Sequence, residues 1–203
     1  MKKSVLALLC LSMSCILMAQ ETKNQKEAGI SFSNLNNFGL TFKTGTENSM
    51  WRFTTLMIAG SNTDKTSESR VDKSNSTGIN VRLGKEFRKE IAENLELRYG
   101  ADLSFSYSQS KSESNDKTAN NLDVLSEQTT YEPGINLVFG LNYMLNESFV
   151  IGAEILPGVS YFTGTNIVKS YNTNNGEEVK SDINGFQYGL SNSSVLITLA
   201  YRF

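Results

Sequence analysis

The chain has 203 residues, with 19 basic and 21 acidic side chains and no histidine. The lack of histidine excludes Ser-His-Asp and Cys-His catalysis and removes the commonest metal ligand. The slight acidic excess argues against a protein that binds nucleic acid.

The beginning of the chain is typical of a secretory signal peptide. Two lysines near the start provide positive charge, residues 5–18 form an apolar stretch, and Ala19 is a small residue at the expected cleavage point. We therefore expect cleavage before Gln20. Residues 1–19 are assigned to the signal peptide and residues 20–203 to a single mature domain.

Both cysteines, Cys10 and Cys15, lie in this leader, so the mature domain has neither a thiol nor a disulfide. An alternative is a lipoprotein that is cleaved before Cys15 and acylated there, since Ser14 precedes it, but the surrounding residues match that signal poorly. Removal of the leader leaves 17 basic and 21 acidic residues, a net charge of −4.

The mature domain carries the period-two pattern of β-strands. No apolar run after the leader approaches the roughly 18 residues that a membrane-spanning helix needs. Alternating apolar and polar residues put successive side chains on opposite faces of a sheet. The alternation is less regular in residues 50–59, and Pro157 predicts a bulge or a local loss of pairing. The alternation of apolar and polar residues is clearest in residues 77–88, 95–108, 131–143, 149–161 and 195–203.

The connections between these segments alternate in length. Residues 61–76, 109–128 and 164–182 are long and rich in Asn, Ser, Thr, Lys and Glu, whereas residues 89–94 and 145–148 are short. Short turns at one end and long loops at the other are typical of a transmembrane β-barrel. We predict three long, solvated and mobile loops on the extracellular side and an up-and-down topology.

The strand count depends on residues 28–45. One long strand would give seven strands in all, whereas a hairpin broken at residues 34–37 gives eight and leaves both termini in the periplasm. We predict the closed antiparallel barrel of eight strands. The main rival signal is a helix-like run over residues 85–94, whose charges also suit pairing four residues apart; we assign it to a strand end and a turn.

The polar face of the strands is the face expected in the barrel interior. In a soluble lipocalin-type barrel this face would instead meet water. Its acids and bases are nearly balanced, glycines lie among them, and Lys43 is its single lysine, which suits a narrow interior that side chains fill. With Lys43, the predicted lumen charge network consists of Arg52, Arg82, Glu86, Arg88, Glu96, Arg98, Asp102, Glu132, Glu154 and Arg202.

The apolar face predicts contact with lipid between two aromatic girdles. Its visible charge, Lys85, lies near a strand end, from which its stem can reach the headgroups. The alternative is that these aromatic residues are the core of a soluble β protein. The predicted inner girdle is Trp51, Phe87, Tyr143, Phe149, Tyr201 and Phe203, and the outer girdle is Tyr107, Tyr131 and Tyr161.

The chain closes with Leu199-Ala200-Tyr201-Arg202-Phe203. With this ending, its leader, its alternating strands and its polar loops, the chain resembles the small OmpA/OmpX-type outer-membrane barrels. The resemblance covers essentially the whole mature chain and implies a location in the bacterial outer membrane. It also implies that Phe203, as a terminal aromatic residue, is part of a signal for the barrel-insertion machinery. We expect no periplasmic domain beside the barrel, so the resemblance does not imply anchoring to the cell wall.

These features favour a structural or surface-interaction role, similar to adhesion, with outer-membrane lipids and a surface partner of the loops as the expected partners. A small, narrow porin or channel is the alternative, and an outer-membrane lipid-modifying enzyme is a second one. Glu96 and Asp102 lie on one strand about 20 Å apart, which is too far for the acid and base of a glycosidase. No cofactor, metal or catalytic residue is expected.

Overall fold

The structure, a computed structural model, describes residues 24–34, 37–116, 121–171, 177–190 and 194–203. The predicted signal peptide lies outside these ranges. The described residues form ten β-strands: β1 (Gln25–Asn34), β2 (Asn37–Thr46), β3 (Ser49–Thr66), β4 (Arg70–Ala92), β5 (Leu95–Asp116), β6 (Asn121–Met144), β7 (Phe149–Ile155), β8 (Gly158–Ser170), β9 (Glu177–Gly189) and β10 (Val195–Arg202).

The strands close into an antiparallel ring of eight. Strands β1 to β7 pair in chain order, β7 pairs with β10, and β10 pairs with β1. Strand β8 continues β7 along β6 in the same register, and β9 pairs with β8 before the chain enters β10. The seventh member of the ring is therefore β7 with β8, and the eighth is β9 with β10. The predicted eight-stranded, up-and-down, all-β barrel is confirmed.

Two uncertain segments take their predicted form. Residues 28–45 are a hairpin, with β1 and β2 paired from Gln25 and Gly45 up to Asn34 and Asn37. Strand β4 runs to Ala92, and the turn that follows holds Asn94 in the left-handed region at φ 62°, where asparagine is among the better tolerated residues. The helix-like charges before this turn therefore belong to a strand end.

Pro157 lies between β7 and β8, at a local loss of pairing without a bulge. The partners along β6 keep one register on both sides, from Phe139 with Ile155 to Asn136 with Gly158. Leu137 N donates to Pro157 O at 2.8 Å, but proline has no N–H to donate to the ladder. On the opposite edge, Leu156 N donates to Ser194 O at 2.7 Å, where β9 gives way to β10.

The prediction of three long mobile loops is wrong. Strands β3 and β4, β5 and β6, and β8 and β9 continue as paired hairpins through most of residues 61–76, 109–128 and 164–182. Ser and Thr side chains are compatible with a ladder in water, and the backbone pairs across it. The polar composition thus indicates strands that are solvated on both faces.

The strands are steeply tilted within the ring. A series of Cα partners can be followed from strand to strand around the ring. It begins beside the turn after β2, at the inner end of the barrel, and ends at the outer end of β10, so neighbouring strands are staggered along the barrel axis. Such a stagger is what closes a barrel with tilted strands. The paired positions are Ser49, Phe87, Tyr99, Phe139, Ile155 and Val195.

The outward face is apolar and aromatic. Tyr143 and Tyr131 lie twelve residues apart on β6, about 40 Å along the strand. At the tilt of about 40° usual in such barrels this spans roughly 30 Å, which matches an apolar band about 25 Å tall flanked by aromatic girdles. Within the described ranges, no helical segment has the length and apolar character to span a membrane.

The predicted girdle residues all point outward, away from the lumen. Rings meet in pairs at both ends, as in Phe149 with Tyr201 and Tyr107 with Tyr131, each with centroids 5.3 Å apart. The lipid-facing Lys85 lies over Trp51, with its Nζ 5.4 Å from the ring centroid. The pair is a cation–π contact at the inner girdle.

Candidate functional site

The barrel interior holds a cluster of charged side chains that are almost completely buried. Six are basic and five are acidic. Ten of them belong to the predicted lumen charge network, namely Lys43 and nine of its ten other members. Glu27 is an addition that the sequence analysis missed. The buried set is Glu27, Lys43, Arg52, Arg82, Glu86, Arg88, Glu96, Arg98, Asp102, Glu154 and Arg202.

Glu86 is the centre of this cluster. Its Oε2 lies 3.0 Å from Lys43 Nζ, 3.2 Å from Arg52 Nη1 and 3.5 Å from Arg98 Nη1, and its Oε1 accepts from Arg88 Nη2. Its side chain is completely buried. Four cations thus share one carboxylate, and each must have further acidic partners for the arrangement to be neutral.

A second group crosses the lumen at mid-height. Arg52 binds Glu154 in a bidentate pair, with Nη2–Oε1 at 2.6 Å and Nη1–Oε2 at 3.0 Å. Arg52 Nε lies 3.2 Å from Asp102 Oδ1, and Arg98 Nη2 lies 3.2 Å from Glu154 Oε2. The two latter contacts are close ion pairs without hydrogen-bond geometry. Strands β3, β5 and β7 are joined across the interior.

A third group closes the inner end. Glu27 accepts from Arg88 at 2.6 and 2.7 Å and from Arg202 Nε at 2.8 Å. Arg202 also donates to both oxygens of Glu96, at 3.0 and 2.9 Å. Asn142 Nδ2 completes the group by donating to Glu96 Oε2 at 3.1 Å. These contacts link the first strand of the ring to the last.

Inward-facing glycines make room for the long side chains. A Cβ at Gly152 would lie 2.9 Å from Arg98 Nη2 and 2.8 Å from Asn142 Oδ1, and one at Gly84 would lie 2.1 Å from Asp102 Oδ1. Real Cβ atoms do not approach other atoms so closely. The glycines that alternate with charged residues on β4, β5 and β7 therefore leave space that the long side chains of the cluster occupy.

A small apolar layer limits the charged half on its outer side. Val138, Leu156 and Leu196 are fully buried and form one cluster inside the barrel. Val138 and Leu156 face each other across β6 and the seventh strand, and Leu196 lies opposite Glu154 on β10. Among the described buried charges, Arg82 alone also lines the cavity on the outer side of this layer.

The outer half of the lumen contains a cavity of about 540 Å³. Glu132 lines this cavity and accepts from Ser160 Oγ, so its place is above the ion cluster and not within it. Arg82 is buried and lines the same cavity from below. Asn80 Nδ2 donates to Ser106 Oγ at 2.6 Å on the neighbouring strands β4 and β5.

Outside the barrel, the hairpins carry exposed ion pairs. Lys111 Nζ lies 2.8 Å from Glu113 Oε1, and Lys169 Nζ lies 3.0 Å from Glu178 Oε2. The hydrogen bond with Glu113 raises the pKa of Lys111, and the same bond lowers the pKa of Glu113. Exposed pairs of this kind contribute little stability.

The chemistry of the inner lumen is electrostatic. Glu27, Glu86, Glu96 and Glu154 accept hydrogen bonds from guanidinium or ammonium groups, whereas Asp102 lies 3.2 Å from Arg52 Nε without a hydrogen bond. In the part of the chain that the structure describes, no three Asp, Glu, Cys or His side chains are grouped to hold a metal ion.

A family model matches residues 29–186, which is most of this barrel. It is the model of the OmpA-OmpF-like porin family. The chain belongs to this family. It is a bacterial outer-membrane β-barrel protein, as the resemblance in its sequence implies. A search of curated proteins finds no match for this porin-family chain.

A solved structure of an outer-membrane protein shares the fold. The chain is similar to a major outer membrane protein from Thermus thermophilus, with a TM-score of 0.55, 10% identity, and coverage of 89% of this chain and 99% of that one. It also matches Ail, the attachment invasion locus protein of Yersinia pestis, with a TM-score of 0.35, 15% identity, and coverage of 91% and 100%. CarO of Acinetobacter baumannii matches with a TM-score of 0.36, 11% identity, and coverage of 88% and 96%.

Proposed function

We propose that this protein is a plugged outer-membrane barrel with a structural and surface-contact role, in which the lumen is closed and the outer hairpins meet a partner at the cell surface. The observation that carries the proposal is the continuation of six strands, β3 to β6 with β8 and β9, beyond the outer aromatic girdle. They form a solvated β-sheet rather than loose loops.

The size of this outer sheet suits contact with a macromolecule. From Ser108 to Asp116, β5 extends about 30 Å past Tyr107. Its neighbours extend with it, and the described side chains there are exposed or half-buried. Because the backbone is already ordered by pairing, a partner that binds the sheet would pay less ordering entropy than one that binds flexible loops.

The interior supports the same role. An eight-stranded barrel is about wide enough for its side chains to fill, and the buried ion cluster occupies that space from Glu27 at the inner end to Asp102 at mid-height. Lumen charges that neutralise one another serve as a plug and fix the strand register. With no histidine in the sequence and with its inner carboxylates paired, we infer a non-enzymatic protein.

Shortening the outer hairpins tests the surface role. Residues 63–74, 111–127 and 166–181 can each be replaced by an Asn-Gly turn, because the residues flanking each segment are Cα partners. We expect cells that display the shortened barrel to lose at least about tenfold in aggregation and in adherence to matrix-coated plates. A barrel with its inner turn at residues 145–148 replaced is the control. Equal adherence of all three proteins would contradict the proposal.

We also propose that residues 1–19 direct export and that Phe203 is read by the barrel-insertion machinery. Lys26 and Phe203 exchange two backbone hydrogen bonds of 2.9 Å, so the terminal residue belongs to the closed sheet. Phe203→Ala is expected to lower the amount of folded protein in the outer-membrane fraction, whereas Phe38→Ala on the same apolar face is not. Mass analysis of the mature protein should give Gln20 as its first residue. An intact leader, or equal yields of both variants, would contradict this.

A further inference from the structure

The cavity in the outer half of the lumen has two chemically different sides. Strands β4, β5 and β6 contribute amide, hydroxyl, guanidinium and carboxylate groups, whereas β9 and its end contribute apolar and aromatic residues together with the amide of Gln187. Its volume of about 540 Å³ lies in the range of small-ligand sites. The polar side is Asn80, Arg82, Ser104, Ser106, Glu132 and Asn136, and the β9 side includes Phe186, Tyr188 and Leu190.

The barrel wall is incomplete beside this cavity. Among the described residues, β9 pairs with β8 and with no other strand, and β3 beyond Leu56 pairs with β4 alone. The β1–β2 hairpin, which separates β3 from the last strand lower down, reaches only as far as Asn34 and Asn37. The described residues that line the cavity come from β4, β5, β6, β8 and β9, with Leu190 and Ser194, and none comes from β1, β2 or β3. The described residues therefore leave a lateral opening of the cavity between β9 and β3.

The opening lies at the height of the outer girdle. Ser106 and Glu132 are Cα partners, and they adjoin Tyr107 and Tyr131, which are partners as well. Ser160 adjoins Tyr161, whose ring lies 5.0 Å from that of Phe186. Aromatic girdles mark the headgroup region of a bilayer. The polar groups of the cavity are thus level with lipid headgroups.

The β9 side of the opening is an unusually exposed apolar surface. Tyr188 is 88% exposed and Phe186 72% exposed, the two highest values among the described large hydrophobic side chains. Leu190 continues the same surface. These side chains face the lipid beside the opening, where they would contact acyl chains of a molecule whose headgroup lies inside.

We propose that the cavity binds the headgroup of a zwitterionic amphiphile, which enters from the outer leaflet between β9 and β3. Arg82 offers a guanidinium to the anionic part of the headgroup, and Glu132 offers a carboxylate to its cationic part. The amides and hydroxyls of Asn80, Ser104 and Gln187 bind its remaining oxygens, and its chains lie against Phe186, Tyr188 and Leu190. The site does not depend on the surface role of the hairpins.

Native mass spectrometry of the barrel in a polyoxyethylene detergent tests this site. The probes are dimyristoyl phosphatidylcholine, the anionic dimyristoyl phosphatidylglycerol, and glycerophosphocholine, which is the headgroup alone. We expect one phosphatidylcholine to remain bound to the wild-type barrel and less of the other two probes. Glu132→Gln is expected to reduce retention of phosphatidylcholine about tenfold, since the Coulombic attraction between the carboxylate and the trimethylammonium group is lost.

Two further variants make the result specific. Ser104→Phe fills the cavity without a change of charge and should also abolish retention, whereas Glu127→Gln makes the same charge change on the outer hairpin and should have no effect. Heat-dependent migration on gels verifies that each barrel is folded, and Glu132→Gln suffices if Ser104→Phe does not fold. Equal retention by all variants would mean annular lipid only and would overturn the proposal. Equal binding of glycerophosphocholine would assign the cavity to a soluble zwitterion and overturn the amphiphile.

Discussion

Glu86→Ala is expected to lower the free energy of unfolding of the barrel by about 3–5 kcal/mol, the usual cost of removing one partner from a buried ion network. Four cations lie within ion-pair distance of this carboxylate, and its side chain is completely buried. Without it, Lys43, Arg52, Arg88 and Arg98 repel one another in a space that water scarcely enters.

The single tryptophan provides the measurement. Trp51 lies on the lipid face, so its fluorescence reports transfer to water when urea unfolds the barrel in detergent micelles. Glu113→Ala is the matched control because it removes the carboxylate of an exposed pair with Lys111, for which we expect a loss below about 1 kcal/mol. Similar losses for both variants would mean that the cluster contributes no more than surface charges do.

Steady ion current through a planar bilayer is expected to be absent for the wild-type protein and to appear when the lumen is emptied at mid-height. The variant Arg52→Ala/Glu154→Ala removes the bidentate pair that crosses the interior, and it keeps the net charge unchanged. Two large side chains are replaced by methyl groups, which opens space for water beside Arg98 and Asp102.

Lys111→Ala/Glu113→Ala removes an ion pair of the same net charge from the outer hairpin and serves as the control. Its current should match that of the wild-type barrel. A steady conductance of the wild-type protein would favour the narrow channel and refute the plug. A silent Arg52→Ala/Glu154→Ala barrel that is verified as folded would mean that the remaining charges close the lumen by themselves.

The inner half of the fold could be predicted because a membrane imposes a strict rule on each strand. One face meets lipid and the other meets the lumen, so apolar and polar residues must alternate. Residues 95–108 follow this rule without a break, and their inward positions hold Glu96, Arg98 and Asp102 as expected. Applied to the residue before Ala28, the same rule places Glu27 on the inward face. The residues that precede Glu27 are polar, so the alternation does not show where β1 begins.

The outer half could not be predicted in the same way. Beyond the girdle both faces of a strand meet water, so the alternation disappears and a paired hairpin has the composition of a loop. Residues 109–116 of β5 are an example, since they pair with β6 throughout and yet contain no apolar residue. The individual contacts of the ion cluster could not be predicted either, because they depend on the register and tilt of strands that are far apart in sequence. The contact between Glu27 of β1 and Arg202 of β10 is an example.

The break at Pro157, opposite the end of β9, divides the barrel into two parts that need not open together. The inner ring closes on itself and is tied across its interior, whereas the outer sheet ends at the edges of β3 and β9. Edge strands can separate locally at little cost, while the ring opens only with global unfolding. Insertions and deletions at the hairpin tips are therefore tolerated without loss of the membrane-embedded ring. The sequence of the exposed surface can change while the ring stays the same.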